Sequence, residues 1–162
     1  MTATRAFLGP LSAEFPASNA AALLTVNARP VLAFDASTAE TCYWTFPWPQ
    51  GFTGTASLVV SYMMASATSG KVDFEVAVEA VTAGDATDLD ATTSFGTANT
   101  ITAPTVPGTA GYMQQFTCTL TDKDSVADGD YVRLSLKRDA ADGTNDTATG
   151  DCYILLAELR EG

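Results

Sequence analysis

A chain of 162 residues, 46% hydrophobic and 17% charged, fits one globular domain able to bury about 70% of its unfolded surface. It has no histidine, which excludes Ser-His-Asp and Cys-His nucleophile pairs, HExxH zinc sites and the usual neutral-pH general base. The net charge of −11, with basic residues scattered from Arg5 to Arg160, leaves no phosphate-binding patch, so nucleic acid and anionic membranes are not expected partners. Such acidity serves solubility at high copy number.

From Met1 to Pro30 the chain is Ala-rich and broken by Gly9, Pro10, Pro16 and Pro30. Proline fixes φ and lacks a donor, so this stretch reads as an extended arm lying on a surface, with at most a short helical turn over residues 20–24 capped by Ser18 or Asn19. Its apolar residues Phe7, Leu8, Leu11 and Phe15 are candidate interaction residues. They have too much apolar area to leave in water and would pack on the chain's own body, on a neighbouring subunit or on a host surface. No signal peptide or apolar run of about 18 residues is visible, and the chain reads as soluble and non-secreted.

The domain proper, residues 31–162, holds eight strand-like runs: 31–34, 42–46, 55–65, 71–82, 95–103, 112–121, 131–138 and 152–159. Turn signals separate them at Ser69-Gly70, Gly84-Asp85, Pro107-Gly108, Asp128-Gly129 and Asp142-Gly143. The expected fold is all-β, an eight-stranded jelly-roll-type β-sandwich with an extended N-terminal arm.

Alternation assigns the faces. Val72, Phe74, Val76 and Val78 point in while Asp73, Glu75 and Glu79 point out; Phe116, Cys118 and Leu120 point in; Val132, Leu134 and Leu136 oppose Arg133, Ser135 and Lys137. Two runs are apolar on both faces. The third carries Val59 and Met63 opposite Leu58, Val60, Tyr62 and Met64, and the last carries Cys152, Ile154 and Leu156 opposite Tyr153, Leu155, Ala157 and Leu159. Val59, Met63, Cys152, Ile154 and Leu156 are therefore expected on an outer face that the arm, another subunit or both must cover.

The carboxylates Asp73, Glu75 and Glu79 resemble a glycosidase pair only superficially, because Ala77 and Val81 rather than aromatics lie beside them; a solvated stripe is expected. The loops Asp85-Asp88-Asp90 and Asp139-Asp142-Asn145-Asp146-Asp151 offer oxygen ligands for calcium, but without EF-hand spacing. Among Tyr43, Trp44, Phe46, Trp48 and Phe52, core packing accounts for Trp44 and Phe46, leaving Trp48 and Phe52 as exposed platforms for a sugar. Cys42, Cys118 and Cys152 show no CxxC spacing and read as small buried hydrophobes. No catalytic, cofactor or metal site is assigned, and no enzyme activity is expected.

The phrases FDASTAETCYWTFPWP, YMMASATSGKVDFEVAVEAV, FGTANTITAPTVPGTAGYM and DGDYVRLSLKRDAADGTNDTATGDCYILLAEL resemble, in their order, the small jelly-roll structural proteins encoded by tailed bacteriophages. The resemblance covers residues 31–160. It implies a virion protein made in the host cytoplasm: a decoration (cement) protein on the capsid exterior, bound to the major capsid protein and to itself as a homotrimer, or the head domain of a tail fibre. The N-terminus departs from tail fibres, which carry a long shaft there. An adhesin module binding a host surface glycan is the alternative.

Overall fold

The computed structural model describes residues 2–91 and 93–162. Ten strands form two antiparallel sheets packed face to face: β1 Ala3–Leu8, β2 Ala22–Val26, β3 Arg29–Phe34, β4 Glu40–Pro47, β5 Ala56–Met64, β6 Phe74–Val81, β7 Asn99–Thr100, β8 Gln114–Thr119, β9 Tyr131–Arg138 and β10 Cys152–Glu161. The larger sheet runs β2-β3-β10-β5-β8 with β1 also paired to β10, and the smaller runs β4-β9-β6-β7. The chain is thus the all-β jelly-roll sandwich expected from its alternation. No described helix is long and apolar enough to cross a membrane.

Each of the eight runs contains a strand, the run 95–103 supplying only the two residues of β7. The additional strands come from residues 1–30. β1 pairs with the second half of β10, from Ala3↔Glu161 to Leu8↔Ala157, while β3 pairs with the first half, Leu32↔Ile154 to Phe34↔Cys152. Between β1 and β2 a 3-10 turn at Pro10–Ser12 and the segment after it cross to the smaller sheet. There Glu14 exchanges both backbone hydrogen bonds with Tyr43, at 2.8 and 2.9 Å, and Asn19 and Ala21 bond Thr41. The Trp44 indole donates to Gly9 O at 3.0 Å. This strap closes the open edge of β4, whose unpaired N–H and C=O groups would otherwise face solvent.

The expected helical turn at 20–24 is instead the start of a hairpin. Asn27 and Ala28 both have positive φ, 47° and 61°, the type I′ geometry whose twist matches the flanking strands. Residues 22–26 pair with 33–29 in one unbroken register, and Leu23 and Leu24 are more use to a strand's two faces than to a single turn of helix.

The core lies between the sheets. Leu32, Phe34, Leu58, Val60, Tyr62 and Phe116 from one meet Trp44, Phe74, Val76, Leu134 and Leu136 from the other. Phe34 meets Phe74 edge-on at 5.4 Å, and Phe74 stacks on Phe116 at 5.0 Å, contacts worth about 0.5–1.5 kcal/mol each beyond their buried area. Cys42, Cys118 and Cys152 are free thiols and fully buried.

Candidate interaction surface

The outward face of the larger sheet can be read row by row from the strand registers. One row runs Phe7, Glu158, Val59, Thr117; the next holds Leu156, Ser61, Gln115; a third runs Ala22, Ala33, Tyr153, Met63. Leu24 lies on the same face opposite Val31. Phe7 is 71% exposed and Met113, following the row of Met63, is 62% exposed. Glu158, the acid in the middle, is bonded to Arg160 and Thr4, which hold its carboxyl below the usual range.

Of the five residues expected on this outer face, two do not reach it. Cys152 and Ile154 are fully buried and face the core. The reason is a β-bulge in β10: Ile154 pairs with Tyr62 but Leu156 with Ser61, so an extra residue is inserted and the alternation reverses. Cys152, Ile154, Ala157 and Leu159 then all point inward, and Leu156 points out, half-buried. The two apolar faces read for this run are one inward face interrupted by the bulge. Val59 and Met63 do face outward, Val59 only 7% exposed between its cross-strand neighbours and Met63 half-buried. Leu8 is buried in the chain's own core, whereas Leu11 and Phe15 are exposed at 76% and 40%. β1 lies in the plane of the larger sheet, paired edge to edge with β10, so the residues of the arm extend this face rather than cover it.

The acidic stripe is solvated only in part: Asp73 and Glu75 are half-exposed, whereas Glu79 is sealed. Glu79 is 2% exposed, opposite Arg133, and accepts the Ser94 N–H at 2.6 Å. Glu75 takes Lys137 Nζ at 2.8 Å. Above them Phe95 stacks on Tyr43 at 5.7 Å, and the Arg133 guanidinium sits 4.1 Å from the Tyr43 ring centre while pairing with Glu14 at 3.4 Å. The small Ala77 and Ser135, level with Tyr43 in the smaller sheet, leave room for this layer. Sequence alternation could not show that Ser94 and Phe95 would lie over part of the face read as wet.

The longer Asp-rich loop is structural. Asp142 caps the turn at Thr144 and Asn145, and Asp146, 7% exposed, pairs with Arg138 and accepts the Asp73 N–H at 3.0 Å. Burial, reinforced by Asp142, Asp139 and Asp146, raises the Asp73 carboxyl above its ordinary value. Among the described residues no group of three or more His, Cys, Asp or Glu is arranged to hold a metal ion.

Trp48, expected to be exposed, is 3% exposed. Its backbone is clamped to Asp130 and Gly129, which turns the ring into the end of the core against Phe52 at 4.9 Å, itself covered by Arg5 at 5.8 Å. The concavity with exposed apolar walls lies elsewhere, a pocket of about 650 Å³ whose lining includes Phe46, Pro47, Val81, Leu89, Tyr131 and Asp85.

No family model and no curated protein sequence matches the chain. Solved structures do. The CBM22-1 xylan-binding domain of Xyn10C from Paenibacillus barcinonensis has the same fold, with a TM-score of 0.51 and 10% identity over 98% of this chain and 94% of that one. The carbohydrate-binding modules CBM29-2 and CBM28, the latter specific for non-crystalline cellulose, align at TM-scores of 0.46 and 0.45, with 11% and 13% identity. Those alignments cover 100% and 91% of this chain and 91% and 84% of theirs.

Proposed function

We propose that this chain is a non-catalytic virion protein of a tailed phage, a capsid decoration protein that seats on the major capsid protein and stabilises the shell. The observation that carries the assembly role is the outward face of the larger sheet. Phe7, Leu156, Tyr153 and Met63 share it, and its one acid on these rows, Glu158, is already bonded within the sheet. An apolar face of that kind marks a protein contact, whereas on the opposite side of the molecule Glu79, Glu75 and Asp146 are committed to Ser94, Lys137 and Arg138 rather than held as a free acid–base pair. The resemblance of the phrase order to that of phage jelly-roll proteins supports the virion setting.

The test is co-sedimentation of the purified chain with undecorated, DNA-filled heads, together with the copy number in virions. Saturable binding, and recovery with heads in hundreds of copies, is the expected result. Recovery with tails in a few copies, or no binding to heads, refutes it.

A second reading, a module for a surface glycan, is favoured by the 650 Å³ pocket beside Pro47 and Tyr131, on a fold that the xylan-binding domain shares. Exposed aromatic rings bind sugar faces by stacking and by displacing water. Glycan-array binding that disappears in Tyr131→Ala supports this reading; an empty array removes it.

A further inference from the structure

We infer that β2 is a self-assembly edge, pairing antiparallel with β2 of a second copy about a two-fold axis at Leu24. The inference stands apart from the virion assignment and rests on the backbone of the β2–β3 hairpin.

In a two-residue hairpin the closing pair, here Val26 and Arg29, is hydrogen-bonded, and bonded pairs then recur at every second residue. Leu24↔Val31 and Ala22↔Ala33 follow. The N–H and C=O groups of Leu23 and Thr25 therefore point away from β3, and no described residue bonds to them. Ala21 is already tied to Thr41, so the free edge is limited to these two residues. One register uses both: Leu23 opposite Thr25 of the second copy and the reverse, forming four main-chain hydrogen bonds. Leu24 then meets its own copy across a non-hydrogen-bonded pair, about 4.5 Å between Cα atoms.

Edge strands are normally blunted by Lys, Pro or a bulge. β2 has none of these, its register is unbroken, and Leu23 and Leu24 are 45% and 41% exposed. Charge selects the occupant. No charged residue lies between Glu14 and Arg29, so two copies of an acidic chain meet here without opposing carboxylates, and a basic partner would find no acid to engage. The symmetric register satisfies both edges at once, as an isologous interface requires. A five-residue edge buries less than the roughly 1,200 Å² of a standard interface, which makes the dimer reversible and concentration-dependent.

Sedimentation velocity across a concentration series tests this. The wild-type mass is expected to rise from 16.9 kDa to twice that value, and to remain monomeric in Leu24→Lys and in Thr25→Pro, whose proline removes only an N–H that faces away from β3. Circular dichroism checks that both fold. Independently, Leu24→Cys crosslinks to a dimer under mild oxidation while Leu23→Cys, which faces position 25 of the second copy, does not. A wild type that stays monomeric at its highest soluble concentration, a three-chain particle, a dimer that survives Leu24→Lys, or equal crosslinking at both positions overturns the inference.

Discussion

The Arg138 guanidinium and the Asp146 carboxylate form a two-pronged ion pair, Nε to Oδ2 2.9 Å and Nη2 to Oδ1 2.8 Å, with both side chains sealed from solvent. The remaining Arg138 donors reach the carbonyls of Phe34, Gly150 and Ala148. One side chain thereby ties the end of β9 to the end of β3 and to the loop that enters β10.

Removing one partner strands a buried charge, so Asp146→Ala should lower stability by about 3–5 kcal/mol. Urea titration measures it. The double variant Arg138→Met/Asp146→Leu should recover part of that loss, because neither charge is then buried alone; a double variant no better than Asp146→Ala would contradict the account.

Tyr62 is fully buried, and its hydroxyl has no hydrogen-bond partner among the described residues. Burial, with a smaller contribution from Cys152, raises its phenol to about 12. The raised value means that folding favours the neutral form; this stability is intact below the ordinary value of about 10 and is lost as pH rises through about 12. Tyr62→Phe should be neutral or stabilising by about 1 kcal/mol, and should remove the latest-titrating phenol from the ultraviolet titration.

Glu161 accepts the N–H groups of Thr53 and Gly54 and pairs with Arg5, in that order the main reasons its carboxyl falls to about 2. A lowered acid stabilises the fold above its unfolded value of about 4.3, and the contribution is lost as pH falls through the folded one. The urea midpoint of the wild type should therefore drop between about pH 4 and 2 more steeply than that of Glu161→Gln. Parallel profiles would show that the charge contributes nothing.

Trp48 and Phe7 should behave in opposite ways. Trp48→Ala empties the core beside Phe52 and should cost about 3–5 kcal/mol in thermal unfolding. Phe7→Ser, at an exposed site, should change stability by no more than about 0.5 kcal/mol, yet weaken binding to capsids if the outer face seats there.

How far these features were legible follows from their range. The strict alternation of residues 72–78, 116–120 and 132–136 reports a local property of a pleated chain with one dry side, and those strands appear where it places them. The run 152–159 misleads because a single inserted residue shifts every later side chain to the other face, and the insertion is defined only against β5. β1 and β2 are hidden by the Gly and Pro residues around them and gain their pairing from β10 and β3. The burial of Glu79 and Asp146 depends on partners in a neighbouring loop and strand, Ser94 and Arg138, which alternation along a single strand cannot show. The edge of β2 had a trace in the sequence, the uncharged stretch from Phe15 to Ala28, legible only once the hairpin fixed which backbone groups face outward.

Ala3 pairs with Glu161 in the larger sheet, so the first and last strands leave the molecule from one corner. A graft carrying this domain needs only a single exposed loop of a host protein, joined by short linkers, and does not have to span the sandwich. By the same geometry a circular permutant that links residues 2 and 162 directly and opens the chain at the exposed Gly108 retains every strand pairing, giving a scaffold whose display point can be moved without redesigning its core.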